Sequence, residues 1–451
     1  MLVSHRLIFI LNLLFISLVS SIDITVQSTD SVCSAAKIVA DGMWNYYEGF
    51  KYGGTVGMFA PPNYWWNAGE AFGGLVDYFT FCDPDNSTLK GWIHDAMYHQ
   101  AGDKYDYIPA NQSMTEGNDD QGVWGMAIMQ AVERNFTNPD SHSWLEMTQA
   151  VFNTMNARWD DEHCGGGLRW QIFTWNSGYN YKNSISNGCL FHLAARLARY
   201  TGNTTVYVEA AERVWKWMDD VKFLTEEDNG NFRVYDGANI DENCTKVTDL
   251  RWSYTYGVFM SGCAYLYNIT GDEIWKTRTE EIIEASLSYF FNNQIMQETT
   301  CQPSNLCNND QRSFRSLFAR CLGLTMLIIP EFEDQIRPYL EKSAGGAAQS
   351  CSGGSDGVTC GENWSHSGWD GVYGLGEQMS ALETIMSLVV KHPLSVETGG
   401  QNRSNFAAGL DSEDSENKNK IDVTSKDRGG AIALTVIVLA ILLGGSIWML
   451  F

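Results

Sequence analysis

The chain has 451 residues, a formal net charge of −24 and eleven cysteines. The negative charge argues against nucleic acid and anionic lipid as direct partners, because both would be repelled. The cysteine content is high for a cytosolic protein and ordinary for one that folds in an oxidising compartment.

At the N-terminus, residues 1–21 predict a secretory signal peptide. His5 and Arg6 precede an apolar core over residues 7–19, and the small residues Ser20 and Ser21 follow it. The alternative, an N-terminal membrane anchor, is less favoured because the apolar core is short for a membrane span.

Residues 22–396 show no linker or break in composition, and we interpret them as one large domain. Helical periodicity dominates this region, and strand patterns are few. The predicted helices are Ser31–Phe50, Trp66–Phe81, Ser87–Gln100, Asp119–Arg134, Ser141–Trp159, Asn183–Tyr200, Thr204–Asp219, Arg251–Asn268, Asp272–Phe291, Gln311–Ile328, Glu331–Ala348 and Asp370–Lys391.

The predicted helices alternate in character along the chain. The second, fourth, sixth, eighth and tenth are apolar nearly all round, which indicates burial, whereas the odd-numbered helices keep a charged face; the twelfth is less clear. Long loops precede the even-numbered helices, and a weak helix–turn–helix repeat recurs roughly every 65 residues. The pattern predicts an all-α fold, an (α/α)6 barrel whose long loops share one face, where function is expected.

The cysteines fit this arrangement as four candidate disulfides. Cys301 and Cys307 share one long loop, and Cys351 and Cys360 share another. Cys164 and Cys244 fall on that same loop-rich face in neighbouring long loops, and Cys33 and Cys82 fall together on the opposite face of the predicted barrel. The remaining three lie within inner helices and are expected to be free, buried thiols; they are Cys189, Cys263 and Cys321.

The C-terminal part predicts an anchor. Residues 431–451 are apolar and uncharged, and they follow a polar stretch, residues 397–430, that we interpret as a disordered spacer. This order is typical of a GPI-attachment signal, with candidate attachment residues from Gly409 to Ser425. The alternative, a tail-anchored or type I span, is less favoured because nothing cytosolic follows the tail.

Glycosylation motifs also indicate secretion. The acceptor pattern Asn-x-Ser/Thr predicts a heavily glycosylated surface. It occurs at Asn86, Asn111, Asn135, Asn203, Asn243, Asn268, Asn363 and Asn402.

The adjacent carboxylates Asp119 and Asp120 open the fourth predicted helix on the loop-rich face. Helix capping is the simplest interpretation, because Asp is favoured in a first helical turn. Catalysis is the alternative, because this helix is buried and its N-terminus faces a cavity. Glycoside cleavage uses two carboxyls, and a short separation favours retention of configuration. Neighbouring carboxyls also push their pKa values apart, which leaves one as acid and one ionised.

Aromatic and polar side chains suited to sugar binding accompany the pair on the same predicted rim. Tyr64 and Trp170 belong to this rim. We expect substrate contacts from Trp65, Trp66, Asn67, Gln121, Asn183, Asp249, Trp252, Tyr254, Arg312 and Trp369.

Three segments carry a family resemblance: "EGNDDQGVWGMA", "NYWWNAGEAFGGLVDY" and "YKNSISNGCLFHLAARLARYTGNTTVY". They resemble glycoside hydrolase family 76, the endo-α-1,6-mannanases and their fungal, GPI-anchored cell-wall relatives, over about residues 30–390. The resemblance implies an (α/α)6 fold and retaining chemistry, with Asp119 as nucleophile and Asp120 as general acid/base. The chain departs from the family pattern at Thr255, where Asn is usual, and at Arg315, where Lys is usual.

The resemblance also implies partners and a location. The donor would be an α-mannoside glycan, either mannan or the GPI core glycan, and wall glucan would be an acceptor when a sugar replaces water. The protein would then act in fungal cell-wall biogenesis, held through a GPI anchor at the outer face of the plasma membrane and in the wall. A catalytically silent glycan-binding wall protein is the alternative, and the intact Asp pair favours the enzyme.

A metal site or cofactor is not expected. His163 and Cys164 in "EHCGG" lack partner ligands at zinc spacing.

Overall fold

A computed structural model describes residues 21–226, 232–401 and 403–410, together with Thr435 and Val438. The predicted signal peptide up to residue 20, Asn402, residues 411–430 of the predicted spacer and nearly all of the apolar tail lie outside the described residues.

Twelve α-helices occupy the described residues, close to the predicted positions. They are α1 Thr29–Met43, α2 Trp65–Cys82, α3 Ser87–His99, α4 Asn118–Glu133, α5 Trp144–Ala157, α6 Ser184–Thr201, α7 Thr204–Asp220, α8 Ser253–Thr270, α9 Glu273–Tyr289, α10 Phe314–Ile328, α11 Glu333–Ser350 and α12 Leu375–Met386.

The even-numbered helices form a closed inner ring. Each contacts the next, and α12 returns to contact α2, while the odd-numbered helices pack outside their neighbours. Every residue of α12 is buried, so this helix belongs to the inner ring as well. The (α/α)6 barrel is therefore confirmed. Close approach within the ring depends on small residues: a Cβ at Gly122 of α4 would lie 2.4 Å from Cys189 Cβ of α6.

The observed α1 and α12 are shorter than their predicted ranges. Helix α1 ends at Met43, and a short 3-10 turn, Trp44–Tyr46, leads into a backbone bridge between Tyr47 and Phe59. Helix α12 begins at Leu375 because Asp370, its predicted first residue, instead accepts hydrogen bonds from backbone N–H groups of the preceding loop.

Three small antiparallel sheets, which the sequence did not predict, order the described loops. They are β1 Tyr181–Asn183 with β4 Gly237–Asn239, β2 Leu224–Glu226 with β3 Phe232–Val234, and β5 Phe291–Asn292 with β6 Ile295–Met296. The first joins the loop before α6 to the loop before α8 on the face where the inner helices begin.

The inner ring also buries paired charges. Arg320 of α10 lies 3.0 Å from Glu70 of α2 and also pairs with Glu383 of α12. Two further buried pairs, each 2.7 Å apart, join Arg196 to Glu133 and Arg134 to Asp77. These ion pairs satisfy the charges that five inner helices carry into a nonpolar interior.

After α12 the chain continues as a packed segment, residues 391–401 and 403–410, which we call the C-terminal strap. It first crosses the C-terminal ends of α4 and α6, where Val396 N–H donates to Tyr200 O at 3.1 Å. It then follows α5, where Asn405 N–H donates to Gln149 Oε1 at 2.7 Å. The predicted disordered spacer is therefore wrong for residues 397–401 and 403–410, because the barrel supplies hydrogen-bond partners for their backbone.

The strap has many further polar contacts with the barrel. The donors and acceptors on the barrel are Glu133, Arg134, Asn135, Ser143, Asn153 and Arg199.

The cysteines pair as predicted. Disulfides join Cys33 to Cys82, Cys164 to Cys244, Cys301 to Cys307 and Cys351 to Cys360. The thiols of Cys189, Cys263 and Cys321 are free and buried.

The seven described glycosylation candidates are exposed or half-buried, as acceptors must be. Two of them also have structural contacts: Asn86 caps α3 through Leu89 N–H, and Asn135 donates to Gly399 O of the strap. Glycosylation itself stays a prediction.

Among the described residues, no single helix is long and apolar enough to cross a membrane. One pair meets the length and composition criteria jointly, Gln311–Ile328 with Pro330–Ser350, but it bends by 118°.

Candidate active site

A cavity of about 570 Å³ opens where the inner helices begin. Its floor holds the first turn of α4, and its walls come from the long loops. The lining residues are Tyr64, Trp66, Met114, Thr115, Asp119, Asp120, Val123, Trp170, Gln171, Asn176, Ser177, Tyr181, Asn183, Ile185, Asp236, Trp252, Tyr254, Asn308, Asp310, Gln311 and Phe314.

Asp119 and Asp120 both line this cavity, and both also hold the first turn of α4. Asp120 Oδ2 accepts a hydrogen bond from Gly117 N–H at 2.6 Å, which caps the helix. Asp119 Oδ1 accepts from Asp120 N–H at 3.1 Å, and its Oδ2 accepts from Asn183 Nδ2 at 3.4 Å. Capping and a position in the cavity are thus compatible for the same side chains.

Gly117 leaves the room that this turn needs. A Cβ at this position would lie 2.2 Å from Asp119 Oδ1 and 2.8 Å from Trp170 O. Both distances are shorter than any tolerable contact, so only glycine fits without a shift of the carboxylate or the loop.

The residues on either side of the pair point into the scaffold. Asn118 Nδ2 donates to Arg169 O at 2.9 Å, and Gln121 Nε2 donates to Asp106 O at 2.6 Å. The buried guanidinium of Arg158, from the C-terminal end of α5, donates to the side chains of both Asn118 and Gln121. These contacts hold the first turn of α4 from the side that faces away from the cavity. Gln121 was a predicted substrate contact, but it does not line the cavity.

The two carboxyls differ in pKa. Burial raises the pKa of Asp119 to about 7, against the hydrogen bonds from Asp120 N–H and Asn183 that favour its ionised form. Burial, followed by the neighbouring Asp119 carboxylate, raises the pKa of Asp120 well above its ordinary value. Asp119 therefore ionises first and Asp120 keeps its proton, which is the division of protons that a nucleophile and an acid require.

Two further carboxyls that the sequence did not single out line the cavity. Asp310 Oδ1 accepts from Trp66 Nε1 at 3.0 Å, and burial raises its pKa to about 6. Asp236 accepts from Tyr181 Oη at 2.6 Å and from Trp252 Nε1 at 2.9 Å. Within the described part of the chain, no Lys, Arg or His lines the cavity, so four carboxyls share it with aromatic rings and amides.

The structure brings four of the predicted substrate contacts to the cavity: Trp66, Asn183, Trp252 and Tyr254. Tyr254 stacks on Phe314, with ring centroids 3.8 Å apart and planes 6° from parallel. This pair forms one wall of the cavity.

The structure places the other predicted contacts elsewhere. Trp65 donates to Gln100 Oε1 at 2.8 Å within the core, and Asn67 donates to Ser313 Oγ at 3.1 Å. Both sit on the first turn of α2, but only their neighbour Trp66 turns toward the cavity. Sequence position identified the right turn of helix without fixing which side chain faces inward.

The remaining three predicted substrate contacts lie in loops or at the ends of loops. Arg312 pairs with Glu377 at 3.1 Å, and Trp369 Nε1 donates to Val372 O at 3.2 Å. The Asp249 side chain is 70% exposed. None of the three lines the cavity.

The departures from the family pattern also lie outside the cavity lining. Thr255 is buried in α8, and Arg315 is buried with its guanidinium 4.0 Å from the ring centre of Trp364.

Asp160, Glu162 and His163 bring potential metal-ligand atoms within 4.8 Å of one another. Cations of the protein already neutralise this group, because Arg169 lies 2.9 Å and Lys182 3.3 Å from Asp160 Oδ2. Cys164 forms a disulfide and offers no thiolate. The expected absence of a metal stays a prediction.

Comparison with known proteins adds the family. The sequence pattern of glycosyl hydrolase family 76 matches residues 31–398. The chain belongs to glycosyl hydrolase family 76. Among family 76 relatives, mannan endo-1,6-alpha-mannosidase DFG5 of Candida albicans is 74% identical over 439 residues, covering 97% of each chain. The protein of the same name from Saccharomyces cerevisiae is 50% identical over 444 residues, covering 97% of this chain and 96% of its own.

Solved family 76 structures share the fold. Dfg5 from Chaetomium thermophilum, in complex with glucosamine, is 35% identical with a TM-score of 0.81, covering 86% of this chain and 98% of its own. An inactive variant of an α-1,6-mannanase from Salegentibacter, with two aspartates replaced by alanine and α-1,6-mannotetrose bound, is 15% identical with a TM-score of 0.64. It covers 79% of this chain and 98% of its own.

Proposed function

We propose that this family 76 protein is a retaining glycosidase of the endo-α-1,6-mannosidase type that acts on α-mannoside glycans of the fungal cell wall. The observation that carries the proposal is the adjacent carboxyl pair on the cavity floor, in which Asp119 ionises before Asp120. The names of the Candida and Saccharomyces relatives support the substrate class. The α-1,6-mannotetrose bound to the inactive Salegentibacter variant supports the same substrate class independently.

The reaction has two steps. The Asp119 carboxylate attacks the anomeric carbon, while Asp120 gives its proton to the departing glycosidic oxygen, which leaves as a hydroxyl. Asp120 then takes a proton from the incoming water or sugar hydroxyl, whose oxygen displaces Asp119 from the anomeric carbon. Two inversions restore the original anomeric configuration.

The second step can end in hydrolysis or in transfer to a sugar. We infer that the donor is mannan or the GPI core glycan, that wall glucan is an acceptor, and that the protein is secreted and GPI-anchored at the outer face of the plasma membrane and in the wall. The predicted signal peptide and C-terminal tail support this location. A cavity with four carboxyls suits a donor that carries a protonated amine, and the glucosamine bound by the Chaetomium relative supports an amino-sugar-containing donor.

The test compares wild type with Asp119→Asn on α-1,6-mannan oligosaccharides. We expect turnover to fall by roughly a thousandfold or more while binding, measured by calorimetry, is retained. The matched control is Asp219→Asn, because Asp219 is an exposed aspartate on an outer helix. Product anomers read by NMR should keep the α configuration. Inverted products would reject Asp119 as nucleophile, and equal turnover by both proteins would favour the silent glycan-binding alternative.

A further inference from the structure

A second cavity, of about 360 Å³, lies at the C-terminal end of α3 and shares no lining residue with the candidate active site. Its walls come from α3, from the loop before α2 and from the loop before α4. Tyr98 and Pro109 give it apolar surface, and Thr55, His99 and Asp103 give it polar groups. Its volume falls within the range of small-molecule sites, about 300–1,000 Å³.

Gln100 lies in the wall of this second cavity with its amide only partly bonded. The residue lines the cavity although it is only 2% exposed. Its Oε1 accepts a hydrogen bond from Trp65 Nε1 at 2.8 Å, and its Nε2 donates one hydrogen to Val56 O at 2.6 Å. The second hydrogen of Nε2 has no acceptor among the described residues. A buried donor without an acceptor costs free energy, and a ligand that brings a carbonyl or hydroxyl oxygen would satisfy it.

The asparagine of an Asn-x-Ser motif lines the same cavity. Asn111 is exposed, and its side chain forms no hydrogen bond with the described part of the chain. It thus differs from the candidate acceptor Asn135, whose Nδ2 already donates to Gly399 O at 3.0 Å. A sugar joined to Asn111 Nδ2 would start at the cavity wall, so its effective concentration in the cavity would be high.

We propose that the second cavity binds the first N-acetylglucosamine of a glycan attached to Asn111. During secretion Asn111 Nδ2 bonds to the anomeric carbon of that sugar, loses one proton and displaces the pyrophosphate of a lipid-linked oligosaccharide. The sugar ring packs on Tyr98 and Pro109, and its acetamide oxygen accepts the remaining N–H of Gln100. The inference depends on the secretion that we propose, and it is independent of the proposed glycosidase activity.

A sugar bound here would join two loops that support the candidate active site. The loop before α2 contributes Thr55 to the second cavity, and the loop before α4 contributes Asn111. From Asn111 the second loop runs directly to the catalytic turn, where Thr115 N–H and Glu116 N–H both donate to Gln112 O, at 2.9 Å and 3.0 Å. Restraint of this segment therefore steadies the residues that lead into α4.

The first experiment uses the full chain made in a fungal host and follows the trimming of each glycan by endoglycosidase H. This enzyme cuts between the first and the second N-acetylglucosamine, so a bound first sugar shields that bond. In the native protein we expect the Asn111 glycan to be trimmed roughly tenfold more slowly than the Asn203 glycan, with equal rates after denaturation. Mass spectrometry of the glycopeptides measures both rates. Asn203 is the matched control because it lines neither cavity.

The second experiment measures amide hydrogen exchange over residues 51–58 and 101–112. Ser113→Ala removes the acceptor motif at Asn111, whereas Ser113→Thr keeps it. We expect exchange in both segments to be roughly tenfold faster in Ser113→Ala than in wild type and unchanged in Ser113→Thr. Asn111→Gln should match Ser113→Ala. Thr205→Ala, which removes the motif at Asn203, should leave both segments unchanged.

Three results would each overturn the proposal. They are an unmodified Asn111 in the secreted protein, equal trimming of the Asn111 and Asn203 glycans in the native state, and equal exchange in Ser113→Ala and wild type. Turnover of α-mannosides is a separate measurement, and its absence would defeat the proposed function without affecting these results.

Discussion

Asp119 and Asp120 occupy one helical turn but differ in what surrounds each carboxyl. Asp119 receives hydrogen bonds from Asp120 N–H and Asn183, which favour its anion. Asp120 lies beside that anion, and its pKa rises further. The acid and the nucleophile are thus set by neighbours within the first turn and by one residue, Asn183, from the loop before α6.

These pKa shifts predict a bell-shaped pH dependence of kcat/KM. Activity should fall below pH about 7, because protonation of Asp119 removes the nucleophile, and it should fall again in the alkaline range as Asp120 loses its proton. The pair titrates together, so both limbs report the pair rather than isolated groups. Initial rates on an α-1,6-mannan oligosaccharide, measured from about pH 4 to about pH 10, test this.

A flat profile across neutral pH would contradict the assignment. Asn183→Ala supplies a matched perturbation, because it removes a hydrogen bond that lowers the pKa of Asp119. In that variant the acidic limb should move to higher pH, and kcat/KM below the optimum should fall roughly tenfold.

At the scale of elements, the inner helices owe their register to buried charge as well as to apolar packing. Arg320 connects α10 to Glu70 of α2 and Glu383 of α12 in the interior. Removing one member of such a group leaves the others buried and unpaired, which costs more than the pair contributes.

Arg320→Ala should therefore lower the free energy of unfolding by roughly 3–5 kcal/mol, as measured by denaturant titration. The control is Arg337→Ala, because Arg337 pairs with Glu333 on the surface at 2.7 Å and is 33% exposed. That change should cost less than about 1 kcal/mol. Similar losses of unfolding free energy in both variants would mean that the buried Arg320 group stabilises the protein no more than a surface ion pair does.

The helices were predictable because their signal is local. The apolar character of α4, α6 and α8 on nearly all sides indicates burial, wherever those helices sit in space. The cavity walls were not predictable in the same way. Asp236 and Asp310 lie in long loops, and nothing in their flanking residues records that both loops fold over α4.

The sequence also did not predict which side chains of the rim face the cavity. Trp65 and Trp66 are adjacent, yet one donates to Gln100 in the core and the other to Asp310 in the cavity. The prediction of a disordered spacer over part of the strap was wrong for another reason. Its composition resembles a disordered spacer, but its order comes from side chains on α4, α5 and α6 that bind its backbone, and composition does not report such partners.

At the scale of the whole molecule, the strap adds residues 391–401 and 403–410 to the folded unit. It covers the C-terminal ends of two inner helices, and the Arg199 guanidinium donates to Pro393 O and Leu394 O within it. Without the strap, these donors and the ends of α4 and α6 would face water.

A secreted chain that ends after residue 390 should therefore unfold at a temperature lower by about 5 °C or more than a chain that ends after residue 410. Differential scanning calorimetry of the two forms makes the comparison, and limited proteolysis gives an independent reading of local opening. Identical transitions would show that the strap adds nothing to stability.

Leu410, the last described residue of the strap, bears on how the GPI-anchored form that we propose could be released from the cell surface. Leu410 N–H still donates to Ala407 O, so the folded unit keeps its own hydrogen bonds up to this residue. A protease that cuts beyond Leu410 would release a barrel with its strap docked and its cavity complete. Under the anchoring that we propose, the protein would then work at two distances from the membrane, fixed before cleavage and diffusing through the wall after it.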